Sequence, residues 1–311
     1  MMKVAVVGAG LIGQAWAIVF ARGGCEVGLW DGDPQASARA LRLIAELAEL
    51  LQDKGLLDDA AGAMARIRRE TALEQALADA AYVQENLPER LEVKQEIFAR
   101  MDALAAPGTV LASSSSSIAA SRFTGGLAGR ARCLVAHPVN PPYLVPVVEL
   151  CGAPWTSPQA LDDAQRLMAG IGQKPVRVRR EIEGFILNRL QGALLREAFR
   201  LVEGGYVDAE DLDATVKDGL GLRWSFMGPF ETIDLNAPAG IRDYCRRYGG
   251  LFESIAREQT DTGPWSEALI DTLEAQRRRL LPADGLEARR LWRDARLMEL
   301  ALHKRRTARD A

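Results

Sequence analysis

The stretch Gly8-Ala9-Gly10-Leu11-Ile12-Gly13 decides the fold, because it separates two segments of different periodicity. Before it, Lys3–Val7 is a short apolar run of the kind that forms a buried strand. After it, apolar residues recur at helical spacing through Ala21, and residues 25–30 form the next apolar run. The order strand, glycine turn, helix, strand is typical of an α/β fold with a parallel sheet.

The spacing of the three glycines indicates a dinucleotide site, with a glycine turn of another doubly wound fold as the alternative. The first glycine permits a tight bend, the second lets the backbone approach a pyrophosphate, and the third lets the helix pack on the strand. Asp31 ends the second strand, where a carboxylate binds a ribose 2′-hydroxyl and repels a 2′-phosphate. Asp33 adds negative charge and no arginine directly follows, so NAD is favoured over NADP. The expected cofactor contacts are Gly8, Gly10, Leu11, Ile12, Gly13, Asp31 and Glu85.

Further apolar runs alternate with helical patterns up to residue 180. Residues 35–80 predict a helical hairpin inserted between strands, with a break near residues 53–58. Later strands are predicted at residues 81–84, 109–112, 132–136, 145–150 and 175–178. We therefore expect an N-terminal Rossmann-like, doubly wound parallel sheet in residues 1–180 and an all-α C-terminal domain in residues 181–311.

Composition points to a small-molecule partner. The net charge is −3, with 39 basic and 42 acidic residues, so neither a nucleic acid nor a membrane surface is expected as a partner. The four cysteines form no Cys-x-x-Cys pair, which argues against a metal site and favours a reducing, cytoplasmic location. No apolar run approaches the roughly 20 residues of a membrane span, and the N-terminus lacks the pattern of an export signal.

Two histidines are present, and one of them lies where a ligand is expected. His137 follows the strand 132–136 and precedes a proline-rich segment, at the strand end where open α/β sheets bind ligands. His303 lies in a basic tail and is expected on the surface. Because histidine titrates near neutral pH, His137 is the candidate base for a substrate hydroxyl, although a lone histidine is more often structural.

Two further polar features lie in or after predicted strands. Glu149 lies in the strand 145–150, where a buried carboxylate would need a partner, and pairing with His137 would orient the imidazole. Strand alternation leaves open that Glu149 points to solvent. Residues 113–117 are five consecutive serines after the strand 109–112. They form either a flexible linker or a turn whose hydroxyls face the cofactor cleft, and their position favours the turn.

At these residues the chain resembles the 3-hydroxyacyl-CoA dehydrogenase superfamily over nearly its whole length. Stretches similar to its lambda-crystallin, or L-gulonate 3-dehydrogenase, branch are residues 136–143, 184–191, 219–224 and 290–294. The resemblance implies that Ser116, His137, Glu149 and Asn188 are catalytic. It implies that the histidine takes the C3 hydroxyl proton as hydride passes from C3 to NAD, and that the glutamate holds the histidine. The serine and the asparagine would bind the reacting oxygen and nearby substrate. Without the resemblance, the position of Asn188 favours an ordinary helix-surface or capping asparagine.

Arg223 bears on the choice of substrate. A free hydroxy acid offers a carboxylate that suits a bidentate arginine, and Arg223 lies in a loop similar to that of the gulonate and carnitine enzymes. The alternative is a surface arginine paired with a local acid. The expected substrate contacts are Ser116, Asn188 and Arg223.

The expected activity is NAD-dependent oxidation of an L-hydroxy acid such as L-gulonate to a 3-keto acid. The alternatives are a 3-hydroxyacyl-CoA such as 3-hydroxybutyryl-CoA, carnitine, or a crystallin-like structural protein that binds NAD. The resemblance also implies a homodimer formed through the helical domain.

Overall fold

In the computed structural model, which describes residues 1–260 and 262–307, the chain forms two compact units. The first unit comprises Met1–Arg189 together with the described residues from Trp292 onward. The second unit comprises Leu190–Leu291. The helix that contains Trp292 therefore belongs in part to the same unit as the N-terminal residues of the chain.

An eight-stranded sheet in the order β3-β2-β1-β4-β5-β6-β7-β8 forms the centre of the first unit. All neighbours are parallel except β6 and β7, which are antiparallel. The predicted Rossmann-like sheet is confirmed, and β7 reverses direction because the loop 139–146 is shorter than the dozen or so residues that a parallel crossover needs. The strands are β1 (Lys3–Val7), β2 (Glu26–Trp30), β3 (Ile67–Arg69), β4 (Tyr82–Glu85), β5 (Val110–Ser113), β6 (Cys133–Pro138), β7 (Val147–Gly152) and β8 (Lys174–Val178).

Seven helices lie between these strands or follow them: α1 (Leu11–Arg22), α2 (Pro34–Asp53), α3 (Ala60–Ala65), α4 (Leu73–Leu77), α5 (Leu91–Leu104), α6 (Ser121–Thr124) and α7 (Pro158–Gly170). The insertion predicted at residues 35–80 contains α2 and α3. It also contains the edge strand β3, which the pattern did not predict because a three-residue strand has too little periodicity to detect.

The strand β1 shows why the sheet is covered on both faces. Val4 and Val6 belong to the core on the side of α1 and α2, whereas Ala5 and Val7 belong to the core on the side of α4 and α5. Alternate side chains of a strand point to opposite faces, so a strand buried on both sides is apolar throughout. The sheet is therefore a rigid platform whose strand carboxyl ends carry the polar loops.

The second unit is helical. It contains most of α8 (Leu187–Glu203), then α9 (Ala209–Ala214), α10 (Gly221–Trp224), α11 (Pro229–Leu235), α12 (Gly240–Glu258), α13 (Glu267–Leu280) and the start of α14 (Leu286–Thr307). Many of its large apolar side chains are exposed, among them Phe226 and Phe230. Within residues 1–260 and 262–307, no helix is both long and apolar enough to cross a membrane, and no group of three metal-ligating side chains is found.

Candidate active site

The glycine turn between β1 and α1 has the geometry of a dinucleotide cradle. Gly8 has a φ of 98°, and a Cβ on it would lie 2.9 Å from the carbonyl carbon of Asn86. A Cβ on Gly13 would lie 1.8 Å from the Gly8 carbonyl oxygen, so no side chain fits there. A Cβ on Gly10 would meet nothing within 4 Å, which leaves that side of the turn open to a ligand.

The start of α1 fits a pyrophosphate. Gly10 occupies the N-cap position, and no side chain caps the helix there. The first-turn N–H groups, including those of Leu11 and Ile12, have no partner within the helix and carry its positive dipole end. Leu11 is 77% exposed, so this end of the helix is accessible. The cradle therefore fits the phosphates of NAD without a basic side chain.

Asp31 fixes the glycine turn as well as ending β2. Its Oδ2 accepts a hydrogen bond from the N–H of Ala9 at 2.7 Å, and its Oδ1 accepts one from the N–H of Asp33 at 2.9 Å. Asp33 in turn caps α2 by accepting from the N–H of Gln35, and it forms an ion pair with Arg39 at 3.2 Å. Arg39 therefore offsets part of the negative charge that Asp33 adds beside Asp31.

Glu85, expected at the cofactor site, is fully buried at the end of β4. Its carboxylate accepts from the Lys94 ammonium at 2.8 and 3.0 Å, from the Ser113 hydroxyl at 2.6 Å and from the N–H of Leu87 at 2.6 Å. Burial raises the pKa of Glu85, while the Lys94 charge and these hydrogen bonds oppose that rise. The side chain thus orders the loop after β4, and cofactor contact by Glu85 stays a prediction.

His137 and Glu149 lie side by side on the antiparallel pair β6 and β7. The strand register places the two residues directly opposite each other, and His137 Nδ1 lies 2.8 Å from Glu149 Oε2. Both are buried, with 5% and 2% of their surfaces exposed. The solvent-facing alternative for Glu149 is therefore wrong. The short β6–β7 connection is what makes the register, and hence the contact, possible.

The second carboxylate oxygen of Glu149 binds the start of α8. Oε1 accepts hydrogen bonds from the N–H groups of Ile186 at 2.7 Å and Leu187 at 2.9 Å. A sharp turn delivers these N–H groups, since Gly184 and Phe185 have φ values of 74° and 49°. Although burial raises the pKa of Glu149, hydrogen bonds from His137, Leu187 and Ile186 outweigh it and lower the pKa. Glu149 is thus an ionised carboxylate shared by an imidazole and a helix terminus.

The serine run forms an ordered turn, which we call the serine turn (residues 114–118), directly after β5. Ser113 and Ser115 are buried, and the Ser114 hydroxyl joins a network with Trp16, Gln84 and Asn86. The Ser117 hydroxyl donates to Glu89. Ser116 is exposed, and its hydroxyl makes no hydrogen bond to any residue that the structure describes. The flexible-linker alternative is wrong, because the hydroxyls of the four neighbouring serines all form hydrogen bonds within the protein.

Asn188 lies in the first turn of α8 and belongs to the first unit. Its Nδ2 donates to the backbone carbonyl of Ser116 at 2.7 Å, so the structure brings Ser116 and Asn188 together. His137 and Glu149 share the same α8 terminus through Ile186 and Leu187. Arg223 lies in α10 of the second unit and is exposed. No acid among the described residues forms an ion pair with it, so the local pairing considered as its alternative is not found.

Sequence reasoning missed two charged residues next to these groups. Glu89 binds the backbone of the serine turn, and Lys94 bridges towards Glu85 from α5. The available signal was a glutamate four residues after the end of β4, at the sheet edge where ligands bind. A lysine on the apolar face of α5 was a second signal, because a buried ammonium needs a carboxylate partner.

Comparisons with known proteins agree along the whole chain. The family model for the 3-hydroxyacyl-CoA dehydrogenase NAD binding domain matches residues 3–182, and that for the 3-hydroxyacyl-CoA dehydrogenase C-terminal domain matches residues 184–279. Lambda-crystallin of Oryctolagus cuniculus is 43% identical over 307 residues, which cover 97% of this chain and 96% of that protein. L-carnitine dehydrogenase of Streptomyces griseus is 42% identical over 238 residues, which cover 76% and 70%.

A solved structure extends this similarity to the fold. The NAD+-dependent dismutase 5-formyl-3-hydroxy-2-methylpyridine 4-carboxylic acid 5-dehydrogenase superposes with a TM-score of 0.83 at 26% identity, covering 98% of both chains. Both units of the present chain are thus matched by one known architecture.

Proposed function

Because the chain belongs to the 3-hydroxyacyl-CoA dehydrogenase family, in its lambda-crystallin branch, we propose that it oxidises the 3-hydroxyl of a small L-hydroxy acid, with L-gulonate the expected substrate. Membership of the family itself shows that the protein is an NAD-dependent dehydrogenase acting on CH–OH donors. The observation that carries the proposal is the buried hydrogen bond between His137 and Glu149. Glu149 also binds the start of α8, where Asn188 donates to the carbonyl of Ser116.

In the proposed reaction His137 is the base. Its Nδ1 is engaged with Glu149, so Nε2 is the atom left to take the proton of the C3 hydroxyl. The ionised Glu149 stabilises the imidazolium that forms and fixes the ring orientation. The glycine turn Gly8–Gly13 and Asp31 would hold NAD, which would supply the hydride acceptor for C3. The Ser116 hydroxyl and the Asn188 amide bind the reacting oxygen. They thereby orient the C3 hydroxyl toward His137.

A free carboxylic acid is the proposed substrate class because of Arg223. Its guanidinium is exposed and has no ion-pair partner among the described residues, so it is available for a bidentate contact with a carboxylate. A thioester carries no such charge. Carnitine is the second candidate, and its support is the 42% identity to an L-carnitine dehydrogenase.

A 3-hydroxyacyl-CoA substrate and a purely structural, crystallin-like role are the remaining alternatives. The family description names the acyl-CoA substrate class, and a lambda-crystallin is among the relatives. A structural role requires neither the His137–Glu149 pair nor the free hydroxyl of Ser116, so their presence favours an enzyme.

We expect a homodimer in the cytoplasm. The exposed aromatic residues of the second unit, such as Phe226 and Phe230, favour contact with another protein surface. The free cysteines, three of which are buried, are consistent with a reducing compartment.

NADH formation with a panel of alcohols tests the proposal. The panel comprises L-gulonate, L-3-hydroxybutyrate, carnitine and 3-hydroxybutyryl-CoA, each with NAD and with NADP. We expect the highest kcat/KM with L-gulonate and NAD. A higher kcat/KM with the acyl-CoA would replace the proposed substrate class, and the absence of turnover with all four would reject the proposal.

A further inference from the structure

Glu89 lies at the centre of the serine turn. Its Oε1 accepts hydrogen bonds from the N–H groups of Ser116 at 3.0 Å and Ser117 at 2.8 Å. The N–H of Ile118 lies 3.2 Å from the same oxygen and 2.8 Å from the Ser115 hydroxyl oxygen, so it is shared between them. It also accepts from the hydroxyls of Ser115 at 2.7 Å and Ser117 at 3.0 Å. Consecutive backbone N–H groups that converge on one point form an anion-binding nest. Here the anion in the nest is a side chain of the protein itself.

This arrangement decides which donors the serine turn can offer a ligand. The N–H groups of Ser116 and Ser117 donate to Glu89, and that of Ile118 is shared between Glu89 and the Ser115 hydroxyl oxygen, so none of the three is available to bind a substrate carboxylate or oxyanion. The Ser115 and Ser117 hydroxyls are used in the same way. Among the described residues of the turn, Ser116 keeps an exposed hydroxyl without a partner. Glu89 therefore singles out one serine from five.

Lys94 holds Glu89 in its ionised form from the other side. The Lys94 ammonium is 4.0 Å from Glu89 Oε2 and 2.8 Å from Glu85, and the side chain is only 1% exposed. Burial raises the pKa of Glu89, but hydrogen bonds from Ser115 and Ser117 and the Lys94 charge outweigh it and lower the pKa. The carboxylate is therefore anionic at neutral pH, as the nest requires.

Ser116 is fixed at both of its backbone groups. Its N–H donates to Glu89, and its carbonyl accepts from Asn188. We propose that Glu89 is the positioning residue for Ser116: its carboxylate fills the nest of the serine turn as an internal anion and so fixes the Ser116 hydroxyl for substrate binding. The role in turnover rests on the proposed function. The occupied nest is a property of the folded chain and can be tested without turnover.

A double-mutant cycle tests whether Glu89 acts through Ser116. Glu89→Gln keeps the side-chain shape but removes the charge, and Glu96→Gln, an exposed acid on α5, is the matched control. We expect Glu89→Gln to lower kcat by about tenfold or more and Glu96→Gln to leave kcat unchanged. In a Ser116→Ala background the same change should cost less than about twofold. Equal losses in both backgrounds, or no loss in the wild-type background, would overturn the positioning role.

A binding measurement tests the nest independently of activity. Glu89→Ala vacates the nest, and sodium formate should refill it. We expect formate to raise the Tm of this variant relative to equal sodium chloride, while wild type and Glu89→Gln show no formate-specific rise. Formate should also restore part of the kcat of Glu89→Ala. If Glu89→Ala does not fold, the double-mutant cycle of Glu89→Gln with Ser116→Ala still tests the positioning role.

Together, the double-mutant cycle and the formate measurement distinguish failure of the proposed function from failure of the proposed role of Glu89. Wild-type protein that oxidises none of the alcohols, together with a formate-specific rise in Tm, would reject the proposed function and with it the role of Glu89 in turnover. Active wild-type protein with neither a formate effect nor an effect of Glu89→Gln would reject this inference alone.

Discussion

The two units differ in how they use their apolar residues. In the first unit Trp16 and Phe98 are fully buried, one on each side of the sheet. In the second unit the long helix α12 buries none of its residues, and Phe226 and Phe230 are 73% and 75% exposed. A soluble protein rarely exposes apolar patches of this kind unless they contact another protein. The first unit therefore holds its large apolar side chains in fixed places, and the second exposes the apolar surface that the proposed homodimer would use.

If chemistry depends on the fixed side chains of the first unit, then His137→Ala should have the largest effect. Loss of a general base lowers kcat by about 10²- to 10⁴-fold, while Kd for NAD should change little because the glycine turn is untouched. Stopped-flow NADH formation and NAD titration measure the two quantities. The control is His303→Ala, since His303 is exposed on α14. Near-normal turnover by His137→Ala would place the chemistry elsewhere.

If the second unit meets a partner copy, then Phe230→Glu should dissociate it. A charge in the centre of an apolar contact costs about 2 kcal/mol or more, which weakens a dimer by roughly 30-fold. Light scattering at several concentrations measures the change. Leu104→Glu, at an exposed position of the first unit, is the control and should leave the dimer intact. A wild-type monomer would contradict this half of the comparison.

The buried pair should also stabilise the first unit in a pH-dependent way. Hydrogen bonds to Glu149 lower its pKa below the ordinary 4.5 despite burial. A carboxylate whose pKa is lower in the folded than in the unfolded state stabilises the protein above the unfolded pKa, and this contribution disappears as the pH falls through the folded value. Glu149→Gln should therefore lower the free energy of unfolding by about 1–3 kcal/mol at pH 7.

Urea unfolding at several pH values checks this expectation. The difference between wild type and Glu149→Gln should shrink as the pH falls below about 4.5. Glu96→Gln, an exposed acid, should match wild type at pH 7. A difference that stayed constant down to pH 3 would mean that the charge of Glu149 does not stabilise the fold.

The proposed contact between Arg223 and a substrate carboxylate gives the smallest expected effect. Arg223→Lys keeps the charge but loses bidentate geometry, so KM for a free hydroxy acid should rise about tenfold with little change in kcat. KM for 3-hydroxybutyryl-CoA should stay the same, which makes the acyl-CoA an internal control. Steady-state kinetics measure both constants. An unchanged KM for L-gulonate would exclude the clamp.

Much of the first unit could be predicted from the sequence because its signals are local. A strand of valines next to spaced glycines determines β1 and the turn after it without reference to distant residues. The same holds for the apolar runs, whose predicted limits differ from β4, β5 and β6 by one or two residues. The short strand β3 and the antiparallel direction of β7 were not predicted, because both depend on which neighbour the strand pairs with.

The site was predictable only as a set of candidate residues. The pairing of His137 with Glu149 depends on strand register. The spacing of the two residues in the sequence favoured neither pairing nor solvent exposure of Glu149. The role of Glu89 depends on a loop after β4 folding over a turn after β5, and no local pattern encodes that contact. The domain division at residue 180 stays a prediction. So do the catalytic roles of Ser116, His137, Glu149 and Asn188 and the substrate contact of Arg223.

The last helix has a consequence for how the protein is made. Met298 of α14 is 2% exposed and packs with the core of the first unit, and Arg305 donates to the carbonyl of Leu56. The cofactor-binding unit is thus discontinuous in sequence. A ribosome that has translated only its first 189 residues has produced the sheet and helices α1–α7 but not the apolar face of α14 that packs with them. The part of this core that includes Met298 can therefore pack only after α14 has left the ribosome, later than the glycine turn that lies nearly 300 residues before it.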